Sequence, residues 1–150
     1  MPEIEYVEDR MESEELLERL CPPVRNWFKD KFPDFTEPQK VAIPRILNGE
    51  HLLLCSPTGS GKTLTAFLTI IDDLVRRSLD GSLPDAVQCV YISPIKALAN
   101  DIEKNLMGPL GEIKERYLPS RAKEIKVGLR TGDTPQSAVS YTHLRAHETV

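Results

Sequence analysis

The stretch at residues 56–63 constrains the fold of this chain more than any other. It consists of Ser56, Pro57, Thr58, Gly59, Ser60, Gly61, Lys62 and Thr63. An apolar run at residues 52–55 precedes it and a long amphipathic segment follows it, so it lies where a predicted strand passes into a helix. Glycine in such a loop allows positive φ and brings backbone N–H groups close to bound phosphate oxygens. The stretch therefore predicts a phosphate-binding loop at the start of a helix.

The chemistry of this loop depends on three groups. The first N–H groups of the following helix have no partner within the helix, and the helix dipole favours anions there. Lys62 can reach the β- and γ-phosphates of a nucleoside triphosphate, and the Thr63 hydroxyl can hold a magnesium ion that bridges them. We therefore predict ATP and Mg²⁺ as cofactors, residues 56–63 as the binding loop, Lys62 and Thr63 as catalytic residues, and Thr63 as the Mg²⁺ ligand.

Length and composition allow one soluble globular domain. The chain has 150 residues, of which 40% are hydrophobic, and this is enough for a buried core. No apolar run approaches the length of a membrane span, and the acidic N-terminus lacks the basic and apolar parts of a signal peptide. The sequence therefore predicts a cytoplasmic protein that does not enter a membrane.

The net charge of -4 is unevenly distributed along the chain. Residues 1–18 contain eight acidic side chains and one basic side chain, Arg10, whereas the remainder contains 15 acidic and 18 basic side chains. A net positive remainder is compatible with a nucleic-acid partner. We assign residues 1–21 to an acidic, solvated tail that leads into a short helix capped by Ser13.

The three cysteines lack the spacing of a metal site. Cys55 and Cys89 fall inside predicted strands, and Cys21 lies just before a predicted helix. We expect all three to be buried, reduced thiols.

The apolar periodicity predicts that helices and strands alternate. We predict helices at residues 22–31, 37–48, 61–79 and 95–107, and strands at residues 51–56, 88–93 and 125–129. We expect Gly108 and Pro109 to interrupt the fourth helix, with a further helical turn or two after them. The second strand is continuously apolar, which indicates burial on both faces. Strands that alternate with helices predict a parallel sheet in a three-layer α/β/α fold.

Two interpretations compete for Thr36 and Gln39. They fit a capping box, in which each side chain accepts a hydrogen bond from the backbone N–H of the other residue. The pattern of Phe32, Thr36 and Gln39 ahead of the phosphate loop also resembles the Q motif of helicases, where the glutamine amide recognises adenine. One amide cannot serve both roles at once. We favour adenine recognition by Gln39, with Thr36 capping the helix in either case. Phe35 stands where helicases often have proline, which leaves the shape of this turn open.

Two further stretches follow predicted strands and suit a nucleic-acid backbone. The first contains Ser93, Pro94 and Lys96. The second contains Arg130, Thr131 and Gly132. Ligands bind outside the carboxyl ends of the strands in an open α/β sheet, and helix starts, positive side chains and hydroxyls all hold phosphates. We predict these six residues as nucleic-acid contacts.

Together these stretches resemble one enzyme family. Ser56 replaces the glycine of the general phosphate-loop pattern, and this variant resembles motif I of superfamily 2 helicases. Residues 93–98 resemble their motif Ia. Residues 23–28, 93–100 and 130–134 are similar to the corresponding stretches of the large helicase-related (Lhr) family, and the likeness extends over residues 22–137. The resemblance implies that residues 22–137 are the N-terminal part of the first RecA-like P-loop NTPase domain of a helicase.

The resemblance implies an ATP-dependent helicase or translocase that unwinds 3′ to 5′. It implies a monomeric motor on DNA, with RNA or an RNA–DNA hybrid as alternatives. A nucleotide-binding module, or a P-loop ATPase or kinase unrelated to nucleic acid, also remains open. No Asp-Glu-x-His stretch follows the phosphate loop in this sequence, and no second domain with arginine fingers is present. We therefore predict that the polypeptide alone binds ATP weakly or not at all and hydrolyses none.

The last part of the sequence differs in character from the rest. Residues 139–149 match an in-frame translation of a transposase-type sequencing adapter, so we assign residues 138–150 to a non-native tail. His143 and His147 stand four apart beside Glu148, a spacing that resembles a zinc motif on a helix. Because this segment is predicted to be foreign, we reject a zinc site there.

Overall fold

The computed structural model describes residues 3–57, 61–130 and 140–144. The helices in this part of the chain are α1 (Ser13–Arg19), α2 (Pro22–Lys31), α3 (Glu37–Leu47), α4 (Lys62–Asp80), α5 (Ile95–Ile102) and α6 (Gly108–Tyr117), with a π-helix (Glu103–Met107) between the last two. The strands are β1 (Ile125–Leu129) and β2 (Ser140–Leu144). None of the helices in the described ranges combines the length and the apolar character that crossing a bilayer requires.

The helices predicted from periodicity are confirmed with small shifts at their ends. Helix α2 has the predicted bounds, and α4 lies between Gly61 and Gly81, whose φ angles are 81° and 79°. The predicted cap of α1 is wrong. Glu12 is the N-cap and makes no capping bond, while the Ser13 hydroxyl instead donates to the Asp34 carboxylate. The Ser13 side chain, which we predicted as a cap from the local sequence, thus binds a residue outside the helix instead.

The predicted interruption at Gly108 and Pro109 is also wrong. Helix α5, the π-helix and α6 follow one another without a break, and the Gly108 N–H donates to the Glu103 carbonyl. Proline cannot donate a backbone hydrogen bond, and its ring clashes with the preceding turn of an α-helix. The wider π-helix ends at Met107, two residues before the proline, so the helical path continues through a local change of pitch.

The predicted parallel sheet is absent from the residues that the structure describes. Their β-ladder is antiparallel and joins β1 to β2, with Ile125 opposite Leu144 and Leu129 opposite Ser140. Strand β1 has the predicted bounds, whereas β2 lies in the segment that we assigned to a non-native tail. Residues 51–56 and 88–93 do not form strands. Pairing of a strand depends on neighbouring strands, which these two segments do not find within the described ranges.

Burial follows from this lack of partners. Val90 and Ile92 are 72% and 88% exposed, so the expectation that their segment is buried on both faces is wrong. Cys55 and Cys89 are likewise exposed rather than buried, whereas Cys21 is buried as predicted and all three cysteines are free.

The core is formed mainly by helices. Its fully buried side chains come from α1, α2, α3, α4 and α6 and include Leu16, Val24, Ile43, Phe67, Leu68, Ile71 and Ile113. Burial of each such side chain contributes about 1.5–3 kcal/mol. Because Leu16 and Leu20 belong to this core, α1 is packed into the domain even though an acidic segment leads into it.

Asp72 of α4 ties the start of α2 to the core. Its side chain is buried and accepts a hydrogen bond from the Cys21 backbone N–H at 2.7 Å and from Arg76 at 3.0 Å. Arg76 also donates to the Arg19 carbonyl at 3.0 Å. Burial, and then the neighbouring Asp72 carboxylate, raise the pKa of the Cys21 thiol to about 12. The Cys21 N–H, which has no partner within α2, thus donates to a side chain 51 residues away.

Candidate nucleotide-binding site

The site is formed where α3 packs against the start of α4. Thr36 is the N-cap of α3, and Gly61 is the N-cap of α4. Pro38 occupies the first turn of α3, where a missing N–H costs nothing. The two helix starts lie side by side, so that Gln39 contacts Gly61 of the predicted phosphate-binding loop.

The capping box at Thr36 and Gln39 is confirmed. The Thr36 N–H donates to Gln39 Oε1 at 2.9 Å, and the Gln39 N–H donates to Thr36 Oγ1 at 3.4 Å. Gln39 is 2% exposed. Its Nε2 also donates to the Gly61 carbonyl at 3.2 Å, a contact that the sequence did not predict. The role of Gln39 in adenine recognition stays a prediction, because the amide is engaged with protein groups in this structure.

Gly61 occupies a position that excludes a larger residue. Its φ of +81° lies in the left-handed region, and a Cβ at this position would come within 2.6 Å of Gln39 Nε2. Its carbonyl also accepts hydrogen bonds from the Thr65 N–H at 3.0 Å and from Thr65 Oγ1 at 2.8 Å. Three donors therefore fix the peptide that begins α4, and one of them belongs to the predicted adenine-binding residue.

Lys62 and Thr63 begin α4. The Lys62 ammonium donates to the Ser56 carbonyl at 2.9 Å, so its side chain reaches back to the first residue of the loop. No side chain caps the N-terminus of α4. The exposed Lys62 and the first N–H groups of the helix are thus directed to one end of the element, which is the arrangement that binds a phosphate. Pro57 is exposed, and Thr58, Gly59 and Ser60 lie outside the described residues.

An open groove of about 530 Å³ runs beside these residues. Lys62 and Thr63 lie at one side of it, and its apolar walls include Leu52, Leu54, Ala66 and Tyr91. Its position places both predicted catalytic side chains next to space that a ligand can enter. Only the Thr63 hydroxyl was predicted as a metal ligand, and the described residues contain no group of three or more His, Cys, Asp or Glu side chains that could hold a metal.

Tyr91 is a residue of this groove that the sequence analysis did not assign to the site. Its ring lies 4.7 Å from that of Phe67, and its hydroxyl donates to Asp101 at 2.9 Å. Burial is the main cause that raises the pKa of the Tyr91 phenol. The sequence predicted only a buried strand residue at position 91. The contact with Asp101 could not be predicted, because it depends on where α5 lies relative to this segment.

The predicted nucleic-acid contacts are only partly described. Pro94 accepts the Leu98 N–H at 3.1 Å and so stands at the start of α5, as predicted for this stretch. Arg130 directly follows β1 and is exposed. The roles of Ser93, Pro94 and Arg130 in nucleic-acid binding stay predictions. The Lys96 side chain, Thr131 and Gly132 lie outside the description, so their roles stay predictions.

Comparisons with known proteins identify relatives of this sequence. Residues 36–142 match the family model of the DEAD/DEAH box helicases. The chain is 45% identical to the ATP-dependent helicase Lhr-Core of Methanocaldococcus jannaschii over 91% of this chain and 16% of the relative. It is 54% identical to the Lhr-Core helicase of Methanothermobacter thermautotrophicus over 77% of this chain and 14% of the relative. It is 39% identical to the Lhr helicase/uracil glycosylase of Escherichia coli over 77% of this chain and 8% of the relative.

The chain therefore spans between 8% and 16% of the length of these three relatives. No solved structure matches it.

Proposed function

This chain belongs to the DEAD/DEAH box helicase family, and from that premise we propose that residues 22–137 form the ATP-binding part of a motor domain in an Lhr-type helicase. The likeness to Lhr helicases that the sequence predicted is confirmed by the matches to Lhr-Core proteins. The proposed activity is ATP-driven unwinding or translocation, 3′ to 5′, by a cytoplasmic, monomeric motor. The proposed substrate is DNA, with RNA or an RNA–DNA hybrid as the alternatives.

One observation carries this proposal. The amide of Gln39 donates to the carbonyl of Gly61, and Gly61 precedes the lysine and threonine proposed to bind phosphate and magnesium. A residue suited to adenine and a loop suited to phosphates are therefore in direct contact. Nothing in the described residues favours a small-molecule kinase over this function.

Within the site, each group has a distinct task. Gln39 would recognise adenine, Lys62 would neutralise the β- and γ-phosphates, and the free N–H groups of α4 would bind their oxygens. Thr63 would be one oxygen ligand of a Mg²⁺ ion whose other ligands are phosphate oxygens and water, which is a coordination that Mg²⁺ commonly adopts. Bound magnesium would supply neutralisation of phosphate charge.

The fold proposed for the parent explains the exposed apolar segments. The family implies a RecA-like domain, in which residues 51–56 and 88–93 would be strands of a parallel sheet. In this structure Leu53 is 86% exposed and Ile92 is 88% exposed. Apolar surface of this kind marks an interaction site, and further strands of the same sheet are the partners that we propose for it. The nucleic-acid backbone would then be held by Ser93, Pro94, Lys96, Arg130, Thr131 and Gly132.

The experiment is a ³¹P NMR titration of Mg-ATP with the chain. Broadening of the phosphate signals reports weak binding, which we expect because the described residues direct Lys62 and the first N–H groups of α4 toward the phosphates from one side. Lys62→Ala should remove the broadening, whereas Lys31→Ala should retain it, since Lys31 lies at the end of α2 and is paired with Glu112 of α6. Equal broadening by the Lys62→Ala chain and the wild type would contradict the proposal. We also expect no hydrolysis of ATP with or without single-stranded DNA, and a nucleic-acid-stimulated ATPase activity of this chain would overturn that part.

A further inference from the structure

An ionic cluster surrounds the turn that leads into α3. Lys40 follows Gln39 in the sequence, and its side chain is only 11% exposed. Its ammonium lies 3.7 Å from an Asp34 carboxylate oxygen and 3.6 Å from a Glu37 carboxylate oxygen. A charge so far removed from water must be paired, because burial alone penalises the charged form. Lys40 therefore links the residue two positions before the cap to the first residue of the helix.

Residues 10–13, which we call the N-terminal strap, bind the same turn at three points. Arg10 donates to Glu37 at 2.7 Å, the Met11 N–H donates to the Lys40 carbonyl at 3.0 Å, and the Ser13 hydroxyl donates to the Asp34 carboxylate. These contacts cross 21 to 29 residues of sequence. The hydrogen bond from Arg10 is the main cause that lowers the pKa of Glu37, and that from Ser13 is the main cause for Asp34.

Both polar atoms of the Gln39 side-chain amide are already hydrogen-bonded to protein groups, and this is why the turn at residues 36–39 needs other contacts to support it. Gln39 uses Oε1 for the Thr36 N–H and Nε2 for the Gly61 carbonyl. Adenine recognition requires the same donor and acceptor, so the amide must give up contacts that hold the turn when it binds a base. A turn that lost its own capping bond would fray unless other contacts fixed it. The strap and Lys40 make such contacts without using the Gln39 side chain.

We propose that Lys40 and the N-terminal strap are positioning elements that hold the Thr36–Gln39 turn in place while the Gln39 amide changes from capping to adenine recognition. This inference rests on the proposed function of the site. It predicts that the strap affects selectivity for adenine and leaves binding of the phosphates unchanged. None of the strap residues needs to touch the nucleotide for this effect.

The test uses the whole chain and three ligands, each with Mg²⁺: ATP, GTP and inorganic tripolyphosphate. Binding is followed by ³¹P line broadening, and the ratio of the dissociation constants for GTP and ATP gives the preference for adenine. We expect Lys40→Met to lower this ratio by about fivefold, the factor for one lost polar contact, without changing tripolyphosphate binding. Lys40→Arg, which keeps the positive charge, should keep the wild-type preference for ATP. Lys31→Met, which removes a lysine paired to Glu112, is the matched control and should retain the wild-type ratio.

A second variant guards against loss of folding. Arg10 is half-exposed, so Arg10→Gln removes a strap contact from the surface without touching the core. It should lower the preference for ATP in the same direction and should speed hydrogen exchange of the Thr36 N–H, which the capping bond protects.

The outcomes separate the two proposals. If tripolyphosphate does not bind to the wild type, the proposed phosphate site is wrong. If tripolyphosphate binds but the wild type does not prefer ATP, or if Lys40→Met and Arg10→Gln keep the full preference, the phosphate site stands and the positioning role is wrong.

Discussion

At the scale of single residues, Gly61 is the position where backbone geometry and side-chain packing meet. Its positive φ disfavours any residue with a Cβ, and the Gln39 amide fills the space that a Cβ would take. Gly49 has a similar φ of +79° but no atom within 4 Å of the corresponding Cβ position. Comparing the two glycines therefore separates strain of the backbone from crowding by Gln39.

We predict that Gly49→Ala lowers the free energy of unfolding by about 1 kcal/mol, through backbone strain alone. Gly61→Ala should cost about 1–3 kcal/mol more, because the added methyl group forces the Gln39 amide to move. Urea denaturation followed by Trp27 fluorescence measures both changes. In a double-mutant cycle, Gln39→Ala should relieve the additional cost of Gly61→Ala. Equal costs for the two glycine variants would show that Gln39 does not crowd Gly61.

At the scale of secondary-structure elements, a buried carboxylate joins the start of α2 to α4 in addition to the core packing between the two helices. Asp72 accepts the Cys21 N–H at the start of α2, and Arg76 links the same region to the end of α1. The neighbouring residue Asp73 also pairs with an arginine four residues later, Arg77, but its side chain is 60% exposed. The two aspartates thus make similar ion pairs in different surroundings.

We predict that Asp72→Ala lowers the free energy of unfolding by about 2–4 kcal/mol, because it leaves a buried N–H and a partly buried guanidinium without their acceptor. Asp73→Ala should change stability by about 1 kcal/mol or less, because the Asp73 carboxylate is exposed and water weakens its ion pair with Arg77. Loss of the Asp72 contact should also make the Cys21 thiol react faster with a disulfide reagent. For this measurement Cys55 and Cys89 are replaced by serine, so that the observed reaction is that of the Cys21 thiol. Similar losses for Asp72→Ala and Asp73→Ala would refute a special role for Asp72.

The elements also show which features a sequence can predict. Helix α2 and strand β1 had the predicted bounds, and the capping box was visible as a pattern of neighbouring residues. These features depend on interactions over a few positions. The contact of Asp72 with Cys21 and that of Arg10 with Glu37 join residues far apart in sequence, so no local pattern indicated them. The sequence predicted a phosphate loop from a motif, and that role stays a prediction, whereas the contact of Gln39 with Gly61 depends on the packing of α3 on α4.

At the scale of the whole molecule, the failed strand predictions have one physical cause. The apolar runs at residues 51–56 and 88–93 have the composition of strands, but a strand is stabilised by hydrogen bonds and side-chain packing with a neighbouring strand. The described part of the chain supplies no ladder partner for either run. Within the described residues, both the strands and the burial predicted from this apolar composition are therefore wrong.

The same cause gives a prediction about association. Residues 86–95 contain no charged side chain, and Val87, Val90 and Ile92 are each at least 72% exposed. Uncharged, apolar segments without a strand partner pair with one another between molecules. We therefore expect the isolated chain to form oligomers as its concentration rises, even under reducing conditions that exclude disulfides through Cys89. Size-exclusion chromatography with light scattering measures this.

Val90→Lys should shift the chain to monomers, because a positive charge in the segment opposes pairing between copies. The matched control is Ile4→Lys, which places the same charge on another apolar side chain that is 79% exposed but lies outside the segment. Ile4→Lys should leave association unchanged. A wild-type chain that stays monomeric at all concentrations, or an Ile4→Lys chain that dissociates as fully as the Val90→Lys chain, would contradict pairing through residues 86–95. If the prediction holds, the surface that we assign to sheet formation in the parent helicase is the surface through which the isolated chain associates.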